Sequence, residues 1–348
     1  MKILVVGGMQ FKHEAQRYYA YVNKLMNGFI RAGHHVEHFS DRDVARNSNL
    51  FRRKKLGEKR CNQILIEYIA DYQPNVVIFK HADVIFPETL INIRKKWPHI
   101  KLAQLNEDAL FNPDNVERIR KKSGVVDANF VTTAGSALKK CKVNNVPFYF
   151  IPTVADVSIE NHKSFENTQN EFDIFFACGA AYDGELRKEI KNYVAQELPN
   201  AKMAYHCLYE KTGIWGSEYM NRIGNSTIGL NFSRYEERGR KGDDEDYFIY
   251  SSDRLAHYIG NGLLVFSDAK FCLDELYSDK EMVFFNSKED LMSKLKYYLE
   301  NPEEAREIAK SGWGKSVKEY NSTLAAEYIL DVLFERNLSR YTWPTTAV

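Results

Sequence analysis

The stretch "SSDRLAHYIGNGLLVFSD", residues 251–268, contains a helix pattern, a glycine turn and a strand pattern in direct succession. We predict a helix over residues 252–259 and a buried strand over residues 263–266, because a short continuous apolar run is typical of a strand covered on both faces. A helix that leads at once into such a strand is half of a β–α–β unit. The stretch therefore predicts a parallel sheet with helices packed on it.

The same alternation recurs along the whole chain. In the first half, the sequence predicts strands at residues 2–6, 36–39, 76–79, 101–105, 128–131 and 148–151, separated by helices at 14–32, 59–72, 87–97, 113–122 and 136–140. In the second half, it predicts strands at 173–178, 201–205, 226–232, 263–266 and 283–285, with helices at 184–197, 216–222, 252–259, 288–300, 302–320 and 322–337. Strands separated by helices of this length indicate an α/β fold with parallel sheets.

The length of 348 residues suits two domains. Residues 158–170 are polar and without period, so we expect a linker there. The predicted domains are residues 1–157 and 171–321, with residues 322–348 crossing back to the first domain. Parallel sheets bind ligands beyond the carboxyl ends of their strands. Two such sheets facing each other would enclose a deep interdomain cleft.

Composition excludes several classes of protein. Apolar content of 44% with 27% charged residues is ordinary for a globular protein, and a net charge of +1 gives no field to attract nucleic acid. The five cysteines are scattered, which argues against a disulfide framework or a zinc site. No apolar run reaches the length of a membrane span, and "MKILVVGG" resembles a strand and turn more than a signal peptide, so we expect a cytoplasmic protein.

Several catalytic motifs are missing from the sequence. It contains no phosphate-binding P-loop, no G-x-S-x-G elbow and no H-E-x-x-H pair. Gly7-Gly8 lacks the spacing of a dinucleotide site, and we interpret it as a turn that lets the backbone approach a ligand. The acidic run 243–246 could bind a divalent metal, but a solvated loop is the favoured interpretation, and we predict no metal site.

Basic clusters occur at residues 52–55, 94–96 and 118–122. The favoured interpretation is solvated helix faces. The alternative for residues 52–55 is contact with an anionic lipid surface or a phosphorylated acceptor. Peripheral contact with the inner face of a membrane is therefore part of the expectation.

Two strand ends in the second half are suited to a phosphate. The strand at 173–178 runs into Gly179, and Arg187 follows about one turn into the next helix. Asn231 ends another strand, and Ser267 or Asp268 follows the strand of the opening stretch, where either side chain could cap the next helix. Backbone amides at a helix N-terminus bind diphosphates well.

These residues resemble a known family. Residues 251–348, with "YYLENPEEAREIAKSGW" among them, are similar to the carboxyl-terminal domain of the spore-maturation (CgeB-like) glycosyltransferases, within the GT-B superfamily. The stretch "WGSEYMNRIGNSTIGLNFSR" resembles the segment before it, and "PNVVIF", "LAQLNEDALF", "DANFVTT" and "PFYFIPTVAD" match the amino-terminal domain in order. The resemblance covers nearly the whole chain, and the common order of its motifs is its strongest feature.

The resemblance implies two facing Rossmann-like domains and sugar transfer from a nucleotide donor without a metal ion. The carboxyl-terminal domain would hold the donor, most often a UDP- or GDP-sugar as co-substrate, and the amino-terminal domain the acceptor. Retaining members carry two glutamates here, and those positions fall on His257 and near Ile249. The donor contacts and the stereochemistry therefore do not transfer unchanged.

Roles follow for individual residues, each beside a structural alternative. Arg254 would bind the diphosphate, or else form a surface ion pair. His257, three residues on, would share its helix face, or else be a core histidine with a satisfied ring. The nucleoside-binding candidates, which core packing would explain equally well, are His206, Leu208 and Tyr209.

An inverting enzyme also needs a base for the acceptor proton. Asp108 or Glu107 is the best placed, followed by His81, and a helix cap is the structural alternative. The basic loop with Arg234, Arg238, Arg240 and Lys241 could close over the diphosphate or could be a plain mobile loop.

The sequence thus predicts a glycosyltransferase with a glycan, lipid-linked or protein-linked acceptor. A nucleotide-sugar epimerase and a non-catalytic glycan- or nucleotide-binding protein are the alternatives. The oligomeric state is not indicated.

Overall fold

The computed structural model describes residues 1–9, 11, 17–110, 112–179, 185–208, 210–232 and 249–348. The chain divides into unit 1, Met1–Pro152 with Ser322–Val348, and unit 2, Thr153–Asn321. Each unit contains one sheet, and every described strand pair in both sheets is parallel. The predicted fold class, two Rossmann-like parallel-sheet α/β domains, is confirmed.

Unit 1 is built on a six-stranded sheet of order β2-β1-β3-β4-β5-β6. Its strands are β1 (Lys2–Val6), β2 (His35–Phe39), β3 (Val76–Lys80), β4 (Lys101–Asn106), β5 (Ala128–Val131) and β6 (Phe148–Phe150). Its first five helices are α1 (Tyr21–Arg31), α2 (Asp41–Asn47), α3 (Lys54–Tyr72), α4 (Pro87–Lys96) and α5 (Pro113–Ser123). Helix α2 was not predicted because "DRDVARN" has no apolar period. The helix predicted at 136–140 is a 3-10 helix.

Unit 2 is built on a five-stranded sheet of order β11-β10-β9-β7-β8. Its strands are β7 (Phe172–Cys178), β8 (Met203–Cys207), β9 (Ser226–Asn231), β10 (Leu264–Asp268) and β11 (Val283–Phe285). Its helices are α6 (Leu186–Glu197), α7 (Gly216–Gly224), α8 (Asp253–Gly260), α9 (Lys288–Glu300) and α10 (Pro302–Glu319). The opening stretch forms α8 and β10, and Gly262 turns the chain between them with φ 80°, a value that glycine adopts readily.

The carboxyl-terminal segment is part of unit 1. Helix α11 (Ser322–Leu333) packs on α1, where a Cβ on Gly28 would lie 2.0 Å from the carbonyl oxygen of Ser322. Further along, the ring of Tyr328 contacts Tyr341 and Trp343 at centroid distances of 4.8 and 5.3 Å. The segment beyond residue 321 therefore completes the core of unit 1.

Residues 153–170 belong to unit 2, whereas residues 153–157 were predicted in the first domain and residues 158–170 as a linker. Thr153 Oγ1 lies 2.5 Å from Ser251 Oγ, and the Ser164 N–H donates to the Asn261 carbonyl at 2.9 Å. Ser164 is buried. Polar composition was a misleading signal here because some of these polar residues form hydrogen bonds with the rest of unit 2.

The helices are of ordinary globular length, and α3 with 19 residues is the longest of those described. None of the described helices combines the length and the apolar character that crossing a membrane requires.

Candidate functional site

Arg254 lies at the carboxyl end of the unit 2 sheet. Its guanidinium donates to the carbonyl oxygens of Ala177 at 3.0 Å and Phe232 at 2.6 Å, and its Nε donates to Asn231 at 3.4 Å. Its charge lies 5.6 Å from the centroid of the Phe176 ring. An arginine carries five N–H donors. Contacts with the described part of the chain use three of them, so two remain for a ligand.

Asn231 organises the polar groups around that arginine. Its side-chain oxygen also accepts from the Ser252 hydroxyl at 3.0 Å, while its amide nitrogen donates to Ser267 Oγ at 3.1 Å. Ser267 and Asn231 are buried. The network links the ends of β9 and β10 to the start of α8, so the arginine sits on a rigid base.

Arg187 brings a second positive charge to the same place. It lies in the first turn of α6, where the helix dipole disfavours a cation. Burial lowers the pKa of Arg187 below its ordinary value, and the positive charge of Arg254 lowers it further. Burial raises the pKa of the Cys178 thiol at the end of β7 to about 12, and the positive charges of both guanidinium groups oppose that rise. Gly179 follows, with open space around the position of a Cβ.

The turn after β10 differs from the prediction. Asp268 caps only a three-residue 3-10 helix, Ala269–Phe271, by accepting from the Lys270 N–H at 3.0 Å. The α-helix whose N-terminus was expected to bind a diphosphate is therefore not there. Asp268 is buried and its carboxylate is engaged in the turn, which leaves Ser267 as a support for Asn231.

His257 has the structural role that was the alternative to donor binding. Its Nδ1 lies 2.7 Å from Glu160 Oε1, and the other oxygen of Glu160 accepts from the Asp156 N–H at 2.7 Å. The ring packs edge-on against Tyr219, and both His257 and Glu160 are buried. This geometry favours the structural alternative, in which the imidazole connects α8 to the segment around residue 160.

Of the predicted nucleoside-binding residues, His206 lies near the end of β8 and Leu208 directly follows the strand. His206 Nδ1 lies 2.9 Å from the Thr212 carbonyl oxygen, and burial lowers the pKa of its ring, which favours the neutral form. Its Nε2 is buried and has no hydrogen-bond partner among the described residues. Leu208 is 39% exposed, as a wall for a base would be. Tyr209 lies outside the described residues, as does the predicted basic loop, so those predictions are unaffected.

The three predicted base candidates lie together in unit 1. A polar cavity of about 260 Å³ opens at the carboxyl ends of β1, β3 and β4 and contains His81, Glu107 and Asp108. His81 Nε2 lies 3.5 Å from Glu107 and its Nδ1 3.8 Å from Asp108. Lys80 pairs with Glu107, and Arg118 pairs with Asp108. Neither cation was predicted as part of the site, because Lys80 directly follows the predicted strand 76–79 and Arg118 belongs to a cluster that was interpreted as a solvated helix face.

The two carboxylates differ in chemistry. Burial by itself would raise the pKa of Glu107, but the charge of Lys80 and the contact with His81 hold it well below the ordinary value. A carboxylate this stable is a weak base. Glu107 is therefore poorly suited to accept a proton. The side chain of Asp108 is 40% exposed.

A further lysine supports the loop that carries His81. Lys122 is buried and donates to the carbonyl oxygens of His81 at 3.0 Å and Ala82 at 2.8 Å. Both loop residues have positive φ, 57° and 44°, a strained conformation for residues other than glycine. Burial lowers the pKa of Lys122 to about 8. The lysine thus stabilises an unusual turn beside the candidate base.

Gly7 and Gly8 follow β1 at the edge of this cavity. A Cβ on Gly7 would lie 2.9 Å from the Lys80 carbonyl oxygen, so close packing between β1 and β3 requires glycine there. Gly8 lines the cavity beside Arg42. Of the two, only Gly8 fits the expected approach to a ligand. Among the residues that the structure describes, no cluster of three His, Cys, Asp or Glu side chains is arranged for a metal ion.

Residues 178–331 match the family described as glycosyl transferase-like. No curated protein matches the sequence. Sucrose-phosphate synthase from Thermosynechococcus elongatus superposes with a TM-score of 0.64 and 12% identity, covering 96% of this chain and 99% of that one. HepE from Anabaena in complex with UDP and glucose superposes with a TM-score of 0.60 and 10% identity, covering 96% of this chain and 100% of that one. An alpha-glucosyltransferase in complex with UDP and DNA superposes with a TM-score of 0.61 and 11% identity, covering 96% of this chain and 99% of that one.

These similarities span almost the whole chain, and at such low identity they show a shared fold and nothing further. The match to the family covers the part of the chain that carries Arg187, Asn231 and Arg254. The chain therefore has the fold of the GT-B glycosyltransferase superfamily, and its residues 178–331 match the glycosyl transferase-like family.

Proposed function

We propose that the protein is a glycosyltransferase of the CgeB-like group that moves a sugar from a nucleoside-diphosphate donor to a glycan, a lipid-linked sugar or a glycosylated protein. The donor binds unit 2, the acceptor binds unit 1, and transfer needs no metal ion and no further cofactor. UDP- and GDP-sugars are the donors to test first, since two of the similar structures contain UDP.

The observation that carries the proposal is the pair of arginines at the end of β7. Arg187 and Arg254 are close enough for each charge to disfavour the other, and one of them also opposes a helix dipole. An anion bound beside both charges would relieve that repulsion. A diphosphate supplies that anion, and its charge increases when the bond between the sugar and the diphosphate breaks. The same groups would therefore stabilise the leaving group during transfer.

The acceptor half of the reaction requires that a hydroxyl lose its proton. Asp108 and His81 are the candidate bases, with Arg118 as a positioning residue that holds the Asp108 carboxylate. Glu107 keeps Lys80 and His81 in place and does not itself take the proton. These roles apply if the configuration of the sugar is inverted.

The first test measures nucleotide binding by calorimetry. We expect UDP or GDP to bind, and Arg254→Ala to weaken binding by about 10- to 100-fold, as is typical when a hydrogen bond to a charged group is lost. Arg254 also braces two carbonyl groups, so Arg187→Gln is a second variant that leaves those bonds intact. Arg306→Gln is the matched control, because Arg306 is on α10 and its partner is the exposed side chain of Glu303.

The second test follows turnover. A panel of nucleotide sugars should include one that the protein hydrolyses slowly, and Asp108→Asn should slow transfer to an acceptor while leaving nucleotide affinity unchanged. Absence of any response to UDP, GDP, CDP and dTDP would refute the proposal. Binding without turnover would support a non-catalytic nucleotide-binding protein instead.

A further inference from the structure

The connection between α2 and α3 in unit 1 projects an apolar pair into solvent. Leu50 is 99% exposed and Phe51 is 76% exposed, and Leu56, five residues on, is 59% exposed. Every residue from 50 to 56, "LFRRKKL", is exposed. We name residues 50–56 the basic-apolar corner. Single exposed apolar residues are common, but an adjacent leucine and phenylalanine with so little cover usually mark an interaction surface.

Hydrogen bonds of Asn49 and the close packing of α2 on α3 fix the position of the basic-apolar corner. Asn49 accepts from the Arg53 N–H at 3.1 Å, and its amide donates to the carbonyl oxygens of Ala45 at 3.0 Å and Arg53 at 2.9 Å. Behind it, α2 and α3 touch so closely that a Cβ on Gly57 would lie 1.7 Å from the Ala45 carbonyl oxygen. The two helices therefore leave no room for Leu50 and Phe51 to fold back between them.

Four cations stand directly beside the apolar pair. They are Arg52, Arg53, Lys54 and Lys55, and none makes an ion pair with a residue that the structure describes. Lys54 and Lys55 open α3, whose first turn contains no acidic residue. Cations at a helix N-terminus interact unfavourably with the helix dipole, so these lysines do not stabilise the helix. The charges remain available for an anionic partner.

We propose that the basic-apolar corner docks on an anionic lipid bilayer. Leu50 and Phe51 insert among the acyl chains near the headgroups, while the four cations bind lipid phosphates around them. Apolar insertion and basic charge act together in this way at membrane surfaces, where either signal alone binds weakly. A phosphorylated macromolecule would account for the cations but not for an exposed Leu-Phe pair beside them. The inference does not depend on the proposed sugar transfer.

The test is sedimentation of the full chain with lipid vesicles. We expect binding to vesicles that contain phosphatidylglycerol, weak binding to pure phosphatidylcholine, and release by salt. Replacement of residues 52–55 by glutamine should reduce the partition coefficient about 100-fold or more, because each basic residue near the surface contributes about fivefold. Leu50→Ser with Phe51→Ser should reduce it by about 100-fold as well, since each large apolar side chain contributes at least about tenfold.

Two matched controls use the same unit. Ile30→Ser removes another exposed apolar side chain, 55% exposed on α1, and Lys95→Gln with Lys96→Gln removes exposed charge from α4. Both controls should bind vesicles like the wild type. The proposal is overturned if the wild type does not bind anionic vesicles, or if the controls lose as much binding as the corner variants. It is also overturned if only the glutamine variant loses binding, because the corner would then be a site for polyanions such as a phosphorylated acceptor.

Discussion

Replacement of His257 distinguishes a core residue from a donor-binding residue. The structure places its Nδ1 2.7 Å from Glu160 Oε1, with both side chains buried. Removing one partner of a buried pair typically costs about 3–5 kcal/mol, because a buried carboxylate loses its counterpart. We therefore expect His257→Ala to lower the free energy of unfolding by about that amount, to be measured by urea unfolding at neutral pH.

The double-mutant cycle sharpens this prediction. Glu160→Ala should also destabilise the protein, and the variant with both changes should lose less stability than the sum of the two, by about 1–3 kcal/mol. His99→Ala, at an exposed histidine, is the matched control and should change the free energy of unfolding by less than about 0.5 kcal/mol.

Nucleotide affinity is the second readout of the same variants. If the imidazole serves only to hold α8, the folded fraction of His257→Ala should bind UDP or GDP within about threefold of the wild type. A loss of affinity above about tenfold with little change in stability would refute the structural role and restore the donor contact predicted from the sequence. Additive effects of His257→Ala and Glu160→Ala on stability would refute the coupling between them.

Three further predictions concern stability. Gly312→Ala on α10 should destabilise unit 2 in thermal unfolding because its Cβ would lie 2.2 Å from a carbonyl oxygen, whereas Gly314→Ala on the same helix, with open space around it, should stabilise by up to about 1 kcal/mol. Gly28→Ala should destabilise unit 1 by about 1–3 kcal/mol by separating α1 from α11, and an unchanged melting temperature would contradict the observed packing. The pKa of Lys122 is lowered from 10.5 to about 8, so between those pH values the unfolded chain binds more protons than the folded chain. The free energy of unfolding should therefore rise with pH in this range, by at most about 3 kcal/mol. Lys122→Met should remove that rise, as measured by urea unfolding at pH 8 and pH 10.

Much of the fold follows from local pattern. Strands β3, β7 and β10 were predicted within two residues because a parallel strand covered on both faces must be a continuous apolar run. The turn at Gly262 was also predictable from its sequence context. Helix α2 was not, since a short polar helix is stabilised by its packing on α3 and carries no apolar period of its own.

The candidate site was predictable as a set of strand ends but not as a set of contacts. Residues that follow parallel strands gather at one edge of a sheet, which is why His81, Glu107 and Asp108 share a cavity. Arg254 donates to the backbone carbonyl groups of Ala177 and Phe232, and such contacts cannot be predicted from residue types because every residue has a carbonyl group. The two cations that pair with the carboxylates of unit 1 were missed for a similar reason, because charge in a sequence does not reveal what it faces.

The sequence by itself determined the order of the strands and of the helices other than α2, the division into two α/β parts and the cationic character of the opening stretch. These properties depend on hydrophobic period and glycine placement over a few neighbouring residues. Only the tertiary structure decided that Arg254 lies at the sheet edge with Arg187, while His257 three residues later binds Glu160, 97 residues away along the chain. The spacing of two residues on a helix sets the directions of their side chains, but burial and charge pairing with distant segments select the partners that they meet.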